Sequence, residues 1–237
     1  MDSILYLLAI LVCIISMIIQ FWLKSTVKKW SKVDSGTEYD ANAAVAQMFR
    51  ENDILDVKIA HQDGELTDCY SPKERTIFLS NTSYNKNSVA AIAVAAHECG
   101  HAIQDSKQTA IYQLRQALTV PASFCSRFGM ILAIGGFLLG SAAQSGSNLW
   151  FQVAKIGVVM YFVVFLFYLA MVPVEVDASR RGLEAIKKNG FISADKIKGA
   201  RKVLTAAGST YVISMTSAFI TFLRIFMLVN RGRSRRR

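Results

Sequence analysis

Long apolar blocks limit this chain more than any other feature. Residues 4–23 and 128–143 carry no charge, and residues 149–172 carry only Lys155. A hydrocarbon layer about 30 Å thick takes roughly 20 apolar residues to cross as a helix, and only helices or closed barrels satisfy their backbone in lipid. With 52% hydrophobic residues and a mean hydropathy of +0.31 over 237 residues, the chain is too apolar for an ordinary soluble domain. A cleaved signal peptide would need a basic start, but Asp2 is the sole early charge and the lysines follow the block. The first block therefore reads as a retained anchor. The second and third, joined by the polar stretch Q-S-G-S-N, read as a membrane hairpin.

Charge placement orients these segments. Lys24, Lys28, Lys29 and Lys32 follow the first block, Lys107 and Arg115 precede the second, and Arg180, Arg181, Lys187 and Lys188 follow the third. The hairpin turn has no Lys or Arg. The positive-inside rule then puts the N-terminus and the turn outside and everything between the first two blocks in the cytoplasm. The net charge of +10 is accounted for by these membrane-flanking residues and a basic R-G-R-S-R-R-R tail, which meet anionic lipid. A nucleic-acid partner is excluded, since no soluble basic face with groove-reading or stacking elements is found.

Between the first two blocks the pattern changes. Residues 37–53 read as a helix with Ala44, Val45, Met48 and Phe49 on its apolar face. From Ile54 the sequence alternates as strands do, with a D-G turn and a second alternating run after S-P-K-E-R, so a small sheet is expected. Residues 75–80 are the candidate edge strand to which an extended substrate could add.

Ser88 then caps an alanine-rich helix that reads to Asp105. It contains H-E-C-G-H. Residues four apart share a helix face, so His97 and His101 can offer two imidazole nitrogens to one metal ion, and Glu98 can act as general base on a water there. Cys99 lies about 200° round the helix from His97 and is expected to pack behind the site. With Cys13, Cys69 and Cys125 it forms no C-x-x-C pair, and no disulfide is expected in a reducing compartment.

A catalytic zinc takes three protein ligands and leaves a fourth position for water. The metzincin position for a third histidine is occupied by Lys107, so that subclass is excluded. Asp105, one turn beyond His101, and His61, in a turn region, are weaker candidates than Glu175 and Asp177, which sit where the chain leaves the third block.

H-E-C-G-H-A-I-Q, with S-V-A-A-I-A-V-A-A and L-T-D-C-Y-S-P before it and V-P-V-E-V-D-A-S-R-R-G-L after it, closely resembles the YugP-type bacterial membrane zinc metallopeptidases. The likeness runs from about Glu38 to the end. That family is similar in layout to the HtpX-like membrane proteases, which add a glutamate from a later helix. The resemblance implies Zn2+ held by His97, His101 and Glu175, in a zincin-like catalytic domain of the gluzincin kind. Ser179 stands where those proteases carry aspartate, which leaves Asp177 as second choice. In L-T-D-C-Y-S-P, relatives tend to have His for Cys69 and Asp for Ser71.

The expected fold is membrane α-helical with a small cytoplasmic α+β catalytic domain, with three transmembrane helices plus a fourth, C-terminal helix. The expected parts are an anchor (1–24), a metallopeptidase part (25–120), a transmembrane hairpin (121–172), a cytoplasmic helix with the third ligand (173–200), and a membrane-associated helix and tail (201–237). The helix over 203–229 is amphipathic, with Ser and Thr residues and Arg224 on one half. It is expected to stay on the cytoplasmic side and cover the cleft. The expected function is a multi-pass endopeptidase of the bacterial cell membrane with its site facing the cytoplasm. It would cut membrane or membrane-associated proteins, with a regulatory partner or a homo-oligomer as further partners. The alternative is a catalytically silent zinc-binding scaffold, against which Glu98 argues. A transporter fits poorly, because no ionisable cluster lies at mid-bilayer.

Overall fold

The computed structural model describes residues 2–142 and 149–234, the side chains at 2, 3, 5 and 231–234 excepted. The Q-S-G-S-N turn and the side chains of the basic tail lie outside the described residues. The elements are α1 (Asp2–Trp30), α2 (Ala41–Glu51), β1 (Lys58–His61), β2 (Cys69–Ser71), β3 (Thr76–Leu79), α3 (Val89–Ser106), α4 (Ala110–Ala142), α5 (Leu149–Asn189) and α6 (Ile197–Ser234). They form two compact units: Ile18–Gln113 with Pro173–Thr210, and Met1–Met17 with Leu114–Val172 and Tyr211–Arg237.

The first of these units has the larger core. Asp40 caps α2 by accepting from Ala43 N at 2.7 Å, and Ala44, Val45, Met48 and Phe49 bury the face their spacing predicts. They meet Ile77 and Leu79 of β3, the alanines and Cys99 of α3, Ile186, Phe191 and Ile192 at the end of α5, and Ala200, Val203 and Leu204 of α6. Gly190, at φ +65°, ends α5 in the left-handed region that favours glycine.

The sheet order is β1-β3-β2, with β3 parallel to β1 and antiparallel to β2. This corrects the expectation for residues 75–80. β3 is the central strand, not an edge, and its Thr76, Ile77 and Leu79 are all buried. A strand covered on both faces must pair both of its edges. The strand expected from Ile54 begins only at Lys58, and β2 was not anticipated.

In the second unit α4 and α5 meet through small residues. A Cβ on Gly136 would lie 2.6 Å from Ala154 N, and one on Gly157 2.3 Å from Ala133 N. Ala133, Ala154, Val158, Ile225 and Val229 are buried there. The α5 rings of Phe162 and Phe165 pack on Phe222 and Phe219 of α6, each pair 5.1 Å apart. The Arg224 guanidinium lies 4.6 Å from the centre of the Tyr6 ring, a cation–π contact.

Four helices, not three, are long and apolar enough to cross a membrane among the described residues. They are Tyr6–Trp30, Ala110–Ala142, Leu149–Asn189 and Ile197–Asn230, with mean hydropathies of 2.5, 1.6, 2.4 and 2.0. The fourth is long and apolar enough despite its hydroxyls, two of which turn back onto the helix itself. Ser209 Oγ donates to Thr205 O at 2.8 Å and Thr216 Oγ1 to Val212 O at 2.9 Å, so they demand no water. Pro121 lies inside a continuous α4, and α5 runs on through Pro173.

Candidate metal centre

Ser88 caps α3 by accepting from Ala91 N at 3.2 Å. One turn apart on that helix, the His97 and His101 rings stand 4.8 Å apart, centre to centre, at 81°. α5 supplies the third group, and small residues let it come close. A Cβ on Gly100 would lie 2.5 Å from Ala178 O, and one on Gly182 2.9 Å from the Ala96 carbonyl. The two backbones therefore touch. Gly100 is the fourth residue of the H-E-C-G-H motif, and any side chain there would push α5 away from the two histidines.

Across this contact, one ligand atom from each of His97, His101 and Glu175 comes within 4.8 Å of the others. Glu175 Oε2 is 3.2 Å from His97 Nε2 and 3.5 Å from His101 Nε2. Glu175 is 1% exposed and His101 6%. The other carboxylate oxygen, Oε1, is buried without a hydrogen-bond partner among the described residues. A buried unsatisfied carboxylate oxygen is costly. Two imidazoles and a carboxylate are a catalytic zinc donor set, and an ion there would satisfy that oxygen. The residues fit the group.

Glu98 points to the β2 side, where its Oε2 accepts from Tyr70 N at 2.9 Å. Burial pushes its carboxyl up to about 7, aided by Glu175 and Asp68 and opposed by His97 and the Tyr70 amide. Such a group can both take and release a proton near neutrality.

The remaining candidates lie elsewhere. Asp105 accepts from Tyr70 Oη at 2.8 Å and from Arg75 Nη1 at 2.9 Å. His61 is exposed on β1 and bonded to Asn81. Asp177 faces away from the pair of histidines to Gln104, Arg180 and Arg181. Cys99 is buried in the core behind the site, and burial pushes its thiol up.

The chain matches, over residues 5–230, the model of a family described as "Putative neutral zinc metallopeptidase". The chain belongs to that family. It is also 33% identical over 214 residues to "Putative membrane protease YugP" of Bacillus subtilis (strain 168), covering 90% of this chain and 91% of the relative. No solved structure matches the chain. The match of this chain to its family begins in α1, well before the likeness near Glu38 visible in the motifs, so the first apolar helix is part of the family's plan.

Two residues of the centre escaped the sequence reading. Tyr70 offers only its backbone N–H to Glu98, which no side-chain motif reveals. Gln104 places its amide oxygen 3.0 Å from His101 Nδ1. Its signal was its place one turn after His101 on the same helix face.

Proposed function

We propose that this protein is a membrane-integrated zinc endopeptidase that cuts membrane or membrane-associated proteins, with its site facing the cytoplasm. The observation that carries the reading is the convergence of His97, His101 and Glu175 around a buried, unpartnered carboxylate oxygen. His97, His101 and Glu175 would hold the zinc, which supplies a Lewis acid and lowers the pKa of a water. Glu98 is the general base. Its carboxylate removes a proton from the attacking water and later delivers one to the leaving amine nitrogen. The Tyr70 amide holds one of its oxygens and so sets the carboxylate's orientation. An extended substrate would align along β2, the sheet edge whose backbone already reaches Glu98. A catalytically silent scaffold has no use for a buried carboxylate beside the ligand pair, which favours the enzyme.

Wild-type and Glu98→Gln cells, compared for membrane proteins that accumulate uncut, test this reading and name substrates together. Identical membrane proteomes, with purified Glu98→Gln protein as active as wild type, would overturn it.

A further inference from the structure

We infer that Gln104 is a positioning residue of this centre, which together with Asp177 holds His101 so that Nε2, not Nδ1, is presented beside Glu175. The inference rests on the zinc-peptidase reading above. Gln104 is fully buried on α3. Its amide nitrogen donates to Val174 O and to Asp177 Oδ2, both at 2.9 Å. A backbone carbonyl and an ionised carboxylate accept hydrogen bonds and cannot donate them. The NH2 end of the amide therefore faces α5, and its carbonyl end must face His101 Nδ1, 3.0 Å away.

An acceptor at that place requires the hydrogen on Nδ1 and leaves the lone pair on Nε2, the nitrogen 3.5 Å from Glu175 Oε2. A free neutral histidine in water prefers the opposite form, with hydrogen on Nε2. Gln104 thus reverses the ring's own preference. Asp177 is itself pinned, by Arg181 Nε at 2.7 Å and Arg180 Nη2 at 2.6 Å, so the chain of orientation begins at a fixed point on α5.

The histidine pair is asymmetric in this respect. His97 Nδ1 faces the Ser179 hydroxyl at 3.0 Å, and a hydroxyl can donate or accept. Ser179 locates that ring without deciding which nitrogen carries hydrogen. Gln104 cannot be replaced by glutamate without setting a carboxylate against Asp177, nor by asparagine, which is too short to reach both helices.

The test uses the full-length protein in detergent, with 15N-labelled histidine. The chain has only three histidines, and a His101→Ala sample assigns the one in question. In metal-free wild type at alkaline pH, where the rings are neutral, His101 should show hydrogen on Nδ1. Gln104→Leu should move it to Nε2 and weaken zinc binding, read by chelator competition, roughly 10- to 100-fold. Asp177→Asn leaves no hole, and the Val174 carbonyl still accepts from the Gln104 amide, so hydrogen should stay on Nδ1 with a smaller loss. If Gln104→Leu fails to fold, Gln104→Met, which keeps the volume and removes the amide, carries the test. Hydrogen remaining wholly on Nδ1 of His101 in a folded Gln104 variant overturns the role of Gln104. A wild type that holds no zinc overturns the peptidase reading instead, and the ring measurement still judges Gln104.

Discussion

Two helix contacts, one in each unit, use the same device for different ends. Where α4 meets α5, a Cβ on Gly157 would lie 2.3 Å from Ala133 N; where α3 meets α5, one on Gly100 would lie 2.5 Å from Ala178 O. Around the first contact are Ala154, Val158 and Ile225. Around the second are His97, Glu98, His101 and Glu175. In lipid, apolar surface gives helices no reason to associate, so close backbone packing through small residues supplies cohesion. In the other unit the cohesion comes from a broad apolar core, and the close approach instead sets the separation of ligands on two helices. A bulky residue should therefore cost stability at one contact and chemistry at the other.

The largest effect isolates the chemistry alone. Glu98→Gln should keep wild-type zinc content and fold while peptidase turnover falls about 1,000-fold, within the usual range for loss of a general base. Retained turnover in the metal-loaded variant would remove Glu98 from its role. Glu175→Ala should lose zinc by roughly 100-fold or more in affinity, because two ligands on one helix do not complete the site. Zinc kept there but lost in Asp177→Ala would transfer the ligand role to Asp177.

The comparison itself is tested by a matched pair. Gly100→Ala should separate α3 from α5 and weaken zinc binding about tenfold or more, whatever its cost in stability. Gly157→Ala should lower stability by about 1–3 kcal/mol through overpacking, with zinc affinity in the folded fraction unchanged. Equal zinc losses in both would show that the two contacts do not divide as argued. The smallest effect is expected at Ser179→Ala, a few-fold loss of zinc affinity, because the hydroxyl locates the His97 ring but is a weak partner beside a carboxylate. A loss as large as that of Glu175→Ala would make it a principal determinant.

Local chemistry was the legible part. The Ser88 cap, the alanine run and the i, i+1, i+4 placement of His97, Glu98 and His101 depend on one helix and its 3.6-residue period, and the structure carries them as read. The apolar face of α2 and the stop at Gly190 are of the same kind. What was misread needed a neighbour to decide it. Residues 75–80 alternate as an edge strand would, yet β3 is central because β2 covers its second side, and a three-residue strand leaves almost no pattern.

By itself the sequence determined that apolar helices dominate this protein and that one alanine-rich helix carries two imidazoles and a carboxylate on adjacent faces, since both follow from residue order over a few turns. Only the tertiary structure decided that Glu175, 78 residues beyond His97, stands against that pair while Asp177 turns to Gln104. The two carboxylates are alike in charge and lie two positions apart, about 200° round the same helix. Which one faces the histidines depends on how α5 is rotated against α3. That rotation is set by the contacts of Gly100 with Ala178 and of Gly182 with Ala96, a packing of distant segments that no local period encodes.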